Sequence, residues 1–318
     1  MNMVQDSKTE KISREIERLA LAGEFSQAEH WHKVLLEQHP TALKEIIQSA
    51  TCIEEQKTLK LDPDHITIWD SLYSQLTQEE TNCLFYSTRS ANVPSGKILI
   101  RQGKAIARLL FIDRGRLALF HTRGKDRIFI GDLSRGDVAG DETFFSHSTP
   151  TFSAGCKTDV QLRYLERSMM HTWKDVCPGL ERFLEDYCSK NSRAKQLMSS
   201  KHIEKRQFPR IKVSGNLRAY IRLEDGKRSQ ENIRGSLADI SRNGVSFDMH
   251  SSNPENARKL LGRILELDFE GLVTPSGAPL TMPGTVVKVT ALLHNDFNIH
   301  IQLAEVIPVE EFTLNFSR

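Results

Sequence analysis

Apolar residues recur at helical spacing over residues 8 to about 60: Ile12, Ile16 and Leu19, then Ala28, Trp31, Val34 and Leu35. That period predicts amphipathic helices. Gly23 breaks the run and Pro40 ends its second half, so the segment reads as a helical hairpin. From about 62 to 170 the pattern changes to short alternating stretches: "GKILIRQG", "ARLLFIDRGRLALF", "RIFIGDLSRGDVAGDE" and "CKTDVQLRYLE". Turn signals arrive every 8 to 12 residues, and Gly96, Gly103, Gly115, Gly131, Gly136 and Gly140 occupy places where tight turns call for positive φ. The expected architecture is a small β-barrel or jelly roll. A helical tract from about Met169 through Leu197 follows, interrupted at Cys177-Pro178-Gly179. From 214 onward strands return, ending in "FNIHIQLAEV", where Phe297, Ile299, Ile301 and Leu303 alternate with Asn298, His300 and Gln302. This predicts a second, separate barrel.

The spacing of Gly23, Phe25, Ala28 and Pro40 resembles the second half of a tetratricopeptide repeat. One copy cannot bury its own apolar face, so the hairpin is expected to pack on something else, such as a partner copy in a homodimer.

Composition narrows the class. At 318 residues the chain has room for two or three domains, and 39% hydrophobic and 26% charged residues describe a soluble globular protein. No stretch approaches the ~18 apolar residues of a membrane span, and the charged N-terminus lacks a signal-peptide core; the expected location is cytoplasmic. Cys52, Cys83, Cys156, Cys177 and Cys188 are scattered without a C-x-x-C pair, which argues for reduced thiols rather than a disulfide framework or zinc site. The formal net charge of +2 conceals an asymmetry. Between Lys190 and Arg242 fourteen basic residues face five acids, leaving that stretch at +9 and the remainder at −7. Such a concentration favours an anionic partner.

Residues 65 to 190 resemble the cyclic nucleotide-binding domain of the catabolite-activator type. The resemblance is carried by "LTQEE" leading to "VPSGKILIRQG", then "LLFIDRGRLALF", "GDVAGDETFF" and "TDVQLRYLE". It implies a β-roll in which the turn after G-D-x-x-G supplies an acid for the ribose hydroxyl, here Gly140 with Asp141, or Glu142 if the register slips by one. It also implies an arginine about ten residues later that holds the cyclic phosphate. This sequence departs from the pattern. The arginine's place falls at Pro150 to Phe152, and no arginine occurs between Arg135 and Arg163. A buried cyclic phosphate would lack a charged partner there, so the pocket is degenerate and cAMP and cGMP are not its expected ligands. Ser148, Thr149 and Ser153 offer hydroxyls, as turn residues ordinarily do.

The basic junction carries a second resemblance. "EKRQFPRIKV" places Arg206 and Arg210 four apart around Phe208-Pro209, and proline keeps this arm out of helix. "ADISRNGVSF" follows with Asp239, Ser241 and Gly244. Together they match R-x-x-x-R and D/N-x-S-x-x-G, the two signatures of the PilZ family, and the likeness covers 206 to about 307. It implies binding of cyclic di-GMP, and the residue chemistry suits that ligand. Arginine grips a phosphate or the guanine O6/N7 edge bidentately and stacks on purines. Aspartate accepts from guanine N1–H and N2–H₂, Ser241 donates locally, and Gly244 permits a tight turn with close backbone approach. Lys205 and Arg242 adjoin the signatures as additional contacts, while His202 reads as solvated linker.

The expected fold is therefore mainly β with α. It comprises an N-terminal helical region (1–61), a cyclic nucleotide-binding-type β-roll with flanking helices (62–188), a basic helical linker (189–205) and a PilZ six-stranded antiparallel β-barrel (206–318). The expected function is that of a non-enzymatic second-messenger receptor that relays cyclic di-GMP to the middle domain or to a protein partner. The linker over 190 to 210 is taken as its switching element. It has no catalytic residue, metal or cofactor, and no G-x-S-x-G, H-E-x-x-H, Walker, cyclase or phosphodiesterase signature is present. The alternatives are a DNA-associated regulator of the catabolite-activator type and a dual sensor that also binds cAMP or cGMP. Against the first, the second barrel stands where a helix-turn-helix would follow, so nucleic acid is not an expected partner.

Overall fold

The structure, a computed structural model, describes residues 2–123, 126–200, 208–223, 225–274 and 276–316. Two compact units emerge, one formed by the chain up to Ser90 with Ser168–Tyr187, the other by Ala91–Arg167 with the chain from Cys188 onward.

The first unit begins with three helices, Asn2–Ala22, Phe25–Gln38 and Leu43–Leu59. The expected hairpin is thus extended by a third helix after Pro40, and the three bury Ile16, Leu19, Ala28 and Leu35 together with Ile46 and Ile53. Trp31, on the same predicted stripe, stays exposed. Lys57 is held in this bundle by Glu29 and Glu54. Strands do not begin at 62 as expected. Pro63–Ile68, Asp70–Tyr73 and Gln78–Ser87 are helical. The first is started by the Asp62 carboxylate, which accepts from the Asp64 and His65 N–H groups, and the last by a capping box between Thr77 and Glu80. Their apolar residues are too sparse to show a period, but their caps are local and legible.

Among the described residues the segment of the first barrel carries nine strands, all but β7 belonging to the barrel itself: β1 (Thr88–Val93), β2 (Ile98–Ile100), β3 (Arg108–Arg114), β4 (Leu117–Arg123), β5 (Asp126–Leu133), β6 (Val138–Ala139), β7 (His147–Ser148), β8 (Ser153–Cys156) and β9 (Val160–Glu166). Two four-stranded sheets, β1-β9-β3-β6 and β2-β8-β4-β5, enclose Ile100, Leu110, Ile112, Leu117, Leu119, Ile130, Phe152 and Leu162. Helix Arg193–Ser200 closes one side with Ala194 and Met198. Gly131 was expected at a positive-φ turn. Instead it lies within β5, where a Cβ would meet the Leu197 side chain at 2.9 Å, so its small size seats that helix.

The second barrel contains β10 (Ile211–Lys212), β11 (Asn216–Arg222), β12 (Arg228–Ser241), β13 (Gly244–His250), β14 (Ile264–Val273), β15 (Pro279–Ala291) and β16 (Asp296–Leu303). The order β12-β11-β14-β15-β16-β13 closes on itself through β12–β13 pairing, giving six antiparallel strands, with β10 added beside β12. Alternation fills the interior with Ile240, Val245, Phe247, Leu265, Leu267, Val286, Val289, Ile299 and Ile301. One strand from the first barrel's segment, β7, joins the sheet of the second barrel. β7 pairs antiparallel with β15, Ser148 opposite Lys288 and His147 opposite Val289, and the Thr149 N–H donates to Val287 O at 2.8 Å.

All five cysteines are free. Burial pushes the Cys83 thiol up to about 12, so it is inert as a nucleophile near neutrality.

Candidate functional site

Of the arm residues, Arg206 and Lys205 lie outside the described residues, as does His202. Arg210 is placed by β10, whose pairing of Ile211 with Ile240 and Lys212 with Asp239 lays the arm along the outer edge of β12. Its Nη1 donates to Asp239 Oδ1 at 3.1 Å and lies 3.4 Å from His300 Nδ1. Both members of the ion pair keep roughly a quarter of their side-chain surface in solvent. A cation and an anion therefore stand side by side on the exterior of the barrel, reachable from outside.

Ser241 and Gly244 sit opposite each other at the β12–β13 turn, on the same face as Asp239. The Ser241 hydroxyl is buried and shares its proton between Asn243 Oδ1 (3.1 Å) and Gly244 O (3.2 Å). It fixes the turn that presents Asp239. Gly244 does not adopt positive φ. A Cβ there would approach Ile301 O to 3.0 Å, so the requirement is close strand approach rather than left-handed backbone. Arg242 is engaged with the arm. Its Nε donates to Ile307 O at 2.9 Å and its guanidinium covers the Phe208 ring at 4.8 Å. It clamps the entry of the chain that carries Arg210.

Two residues on this face gave no motif signal. Following the register outward from the arm, Lys212 pairs with Asp239, Asp239 with Ser246, and Ser246 with His300. Directly opposed residues of antiparallel strands point to the same face, and their neighbours Ile240, Val245, Ile299 and Ile301 face the core. The signal was present only as the polar phase of the strand alternation.

In the first barrel, Gly140 takes φ +87° and a Cβ on it would meet Arg108 O at 2.5 Å. Helix Asp141–Phe144 starts there. Burial raises the Asp141 carboxyl above its ordinary range, opposed by a hydrogen bond with Ser192. Its Oδ1 is buried without a partner among the described residues. Glu142 points to the loop where the family pattern calls for arginine: the Thr151 N–H donates to it at 3.2 Å and the Thr151 hydroxyl at 2.8 Å. Ser148 and Thr149 are spent on Ser146 and Val287, and the Ser153 hydroxyl accepts from the Gln102 N–H. Arg167, beyond the loop, donates to Phe144 O at 2.7 Å and Ser146 O at 3.1 Å and so is committed to backbone.

The family model of the cyclic nucleotide-binding domain matches residues 91–173, and that of the PilZ domain matches residues 204–314. No curated protein matches the chain. Among solved structures, a cyclic nucleotide-binding domain from Methylobacillus flagellatus is 17% identical, with 44% of this chain and 78% of that one covered at a TM-score of 0.37. The catabolite activator protein of Thermus thermophilus is 22% identical over 42% of this chain and 62% of its own, at a TM-score of 0.35. A cyclic nucleotide-binding-like protein from Brucella abortus is 21% identical over 35% and 98%, at 0.32. Likenesses this partial carry no argument about ligand.

Proposed function

We propose that this chain, which joins a cyclic nucleotide-binding domain to a PilZ domain, receives cyclic di-GMP on the outer face of its second barrel. The presence of the two domains marks a cyclic-nucleotide receptor. The finer assignment rests on one observation above all, the part-exposed pair of Arg210 and Asp239 at 3.1 Å. A ligand with guanine donors and phosphate acceptors can replace both halves of that pair at once. Guanine N1–H and N2–H₂ give Asp239 the hydrogen bonds that Arg210 now supplies, and the freed guanidinium takes a phosphate or a guanine O6/N7 edge. The exchange leaves both charged groups hydrogen-bonded, which limits its desolvation cost. Arg206, four residues upstream, would add a second guanidinium from the same arm.

The reading includes a relay. β15 belongs to the barrel that holds the site and pairs with β7 from the first barrel's segment, so ordering of the second barrel's outer face is felt at the loop 146–152. cAMP or cGMP sensing is disfavoured by Glu142, whose carboxylate already takes the Thr151 donors. Calorimetric titration with cyclic di-GMP, cAMP and cGMP in parallel tests the assignment. Saturable binding of cyclic di-GMP alone is expected. Its absence, or tighter binding of either mononucleotide, overturns the proposal.

A further inference from the structure

Ser246 is fully buried, yet its hydroxyl has no hydrogen-bond partner among the described residues. Such a group costs stability in the unbound protein. Its place in the register explains its burial. It lies between Asp239 on β12 and His300 on β16, and Arg210 Nη1 reaches both of those residues, at 3.1 and 3.4 Å. Arg210 Nη1 thus contacts the two residues that flank Ser246 on the neighbouring strands. The row continues to Lys288, exposed and opposite His300, and from there to Ser148 of β7.

We propose that Ser246 and His300 are ligand-contacting residues of the cyclic di-GMP site and that Lys288 extends it. Arg210 covers them in the unbound state and uncovers them on binding. This rests on the reading of Arg210 and Asp239 given above. When guanine displaces Arg210 from Asp239, the Ser246 hydroxyl gains the partner it lacks, guanine O6 or a phosphate oxygen. The His300 ring, relieved of Arg210, offers a ring nitrogen to the same base edge. Strands about 4.8 Å apart put His300 two steps and Lys288 three steps from Asp239. The ammonium of Lys288 is thus on the side where a dinucleotide must place its second phosphate. The footprint then ends at the residue facing β7, where a ligand is read by the first barrel.

Calorimetry on the full chain distinguishes this from the motif residues acting alone. The proteins compared are wild type, Arg210→Ala, Ser246→Ala, His300→Gln, Lys288→Ala and the double variant Ser246→Ala/His300→Gln. Each single change at the three new positions is expected to weaken cyclic di-GMP by about two- to tenfold, the worth of one hydrogen bond. The double change is expected to exceed tenfold. Ser246→Ala serves as its own folding control, because removing an unpartnered buried hydroxyl leaves the unbound melting temperature unchanged or higher while shrinking the ligand-induced rise. If wild type binds, Arg210→Ala does not, and the double variant stays within twofold of wild type, the inference is overturned and the site assignment survives. If wild type itself gives no saturable binding, the assignment falls and the inference with it.

Discussion

Glu142 and Thr151 hold each other twice, through the Thr151 N–H at 3.2 Å and its hydroxyl at 2.8 Å. Both donors sit in the loop where a cyclic phosphate would look for its arginine. A phosphate brought there would have to evict a carboxylate and then face it at short range, with no fixed cation in the loop to offset the repulsion. cAMP and cGMP are therefore expected to give no saturable heat at concentrations where cyclic di-GMP is saturating. Submicromolar binding of either by the wild-type chain would contradict the geometry. Glu142→Gln should cost about 1–2 kcal/mol in chemical denaturation, since a charge-assisted pair of hydrogen bonds becomes a neutral one.

Arg210→Ala and Asp239→Ala should each weaken cyclic di-GMP by at least tenfold, from the ~1.5–3 kcal/mol of a charged hydrogen bond. Arg206→Ala should do the same if the arm brings both guanidiniums to one ligand. Unchanged affinity in the Arg206→Ala/Arg210→Ala double variant would remove the site from this face. Asp239→Asn is the sharper probe. It keeps a carbonyl acceptor but loses the charge, and should retain part of the affinity that Asp239→Ala loses.

How much of this was readable in advance depended on whether the signal was local. The arm, Asp239 and the β12–β13 turn carry fixed spacings, so they were named from sequence. Clean alternation in stretches such as Phe297 to Leu303 announced the strands, and the resemblance to the PilZ family implied their six-stranded closure. The helices between Pro63 and Ser87 were missed because they are short and their burial comes from distant elements, although Asp62 and Thr77 announced their starts. Ser241 and Gly244 belong to the motif and Arg242 adjoins it; in the unbound chain Ser241 and Gly244 shape the turn and Arg242 holds Phe208. Ser246 and His300 stayed invisible because cross-strand neighbours 54 positions apart in sequence leave no spacing to read. The linker expected to swing as a whole is in part a packed helix, with Ala194 and Met198 in the first barrel's core.

Burial raises the folded-state pKa of Asp141, so the native chain binds a proton there at pH values where the unfolded chain has released it. The stability associated with this group is full below the ordinary carboxylate range and is lost as pH rises through the raised folded value. Asp141→Asn should therefore raise the melting temperature at neutral pH, with the gain shrinking as pH falls through the raised folded value and gone below about 4. A gain that persists unchanged into acid would assign the effect to packing instead.

Gly140→Ala should destabilise the protein by about 1–3 kcal/mol in a urea melt, combining a left-handed backbone with a steric conflict. The Cβ would stand 2.5 Å from Arg108 O, a backbone atom that cannot step aside. Gly96→Ala is the matched comparison, with φ +84° and nothing within 4 Å of the added methyl. It should show the conformational penalty alone, and equal losses at the two positions would mean that the clash relaxes away.

The pairing of β7 with the second barrel's sheet makes a coupling prediction that a flexible tether would not. The joint rests on β7–β15 pairing and on the Thr149 N–H to Val287 O bond at 2.8 Å. Thr149→Pro deletes that donor while leaving Ser148 in the extended conformation that a residue before proline favours. Cyclic di-GMP should slow amide exchange across 147–151 in the wild-type chain, because stabilising one side of a strand pair lowers the population of its open state. In Thr149→Pro the affinity should hold within a few fold, since the variant residue lies outside the Arg210–Asp239 pair, while the slowing at 147–148 and 151 disappears. Solution scattering supplies the second reading, in which a ligand-dependent change in the wild-type profile should be lost in the variant. Slowed exchange confined to 208–246, with no effect at 147–151 in either protein, would mean that the second barrel clamps its ligand locally and transmits nothing through this joint.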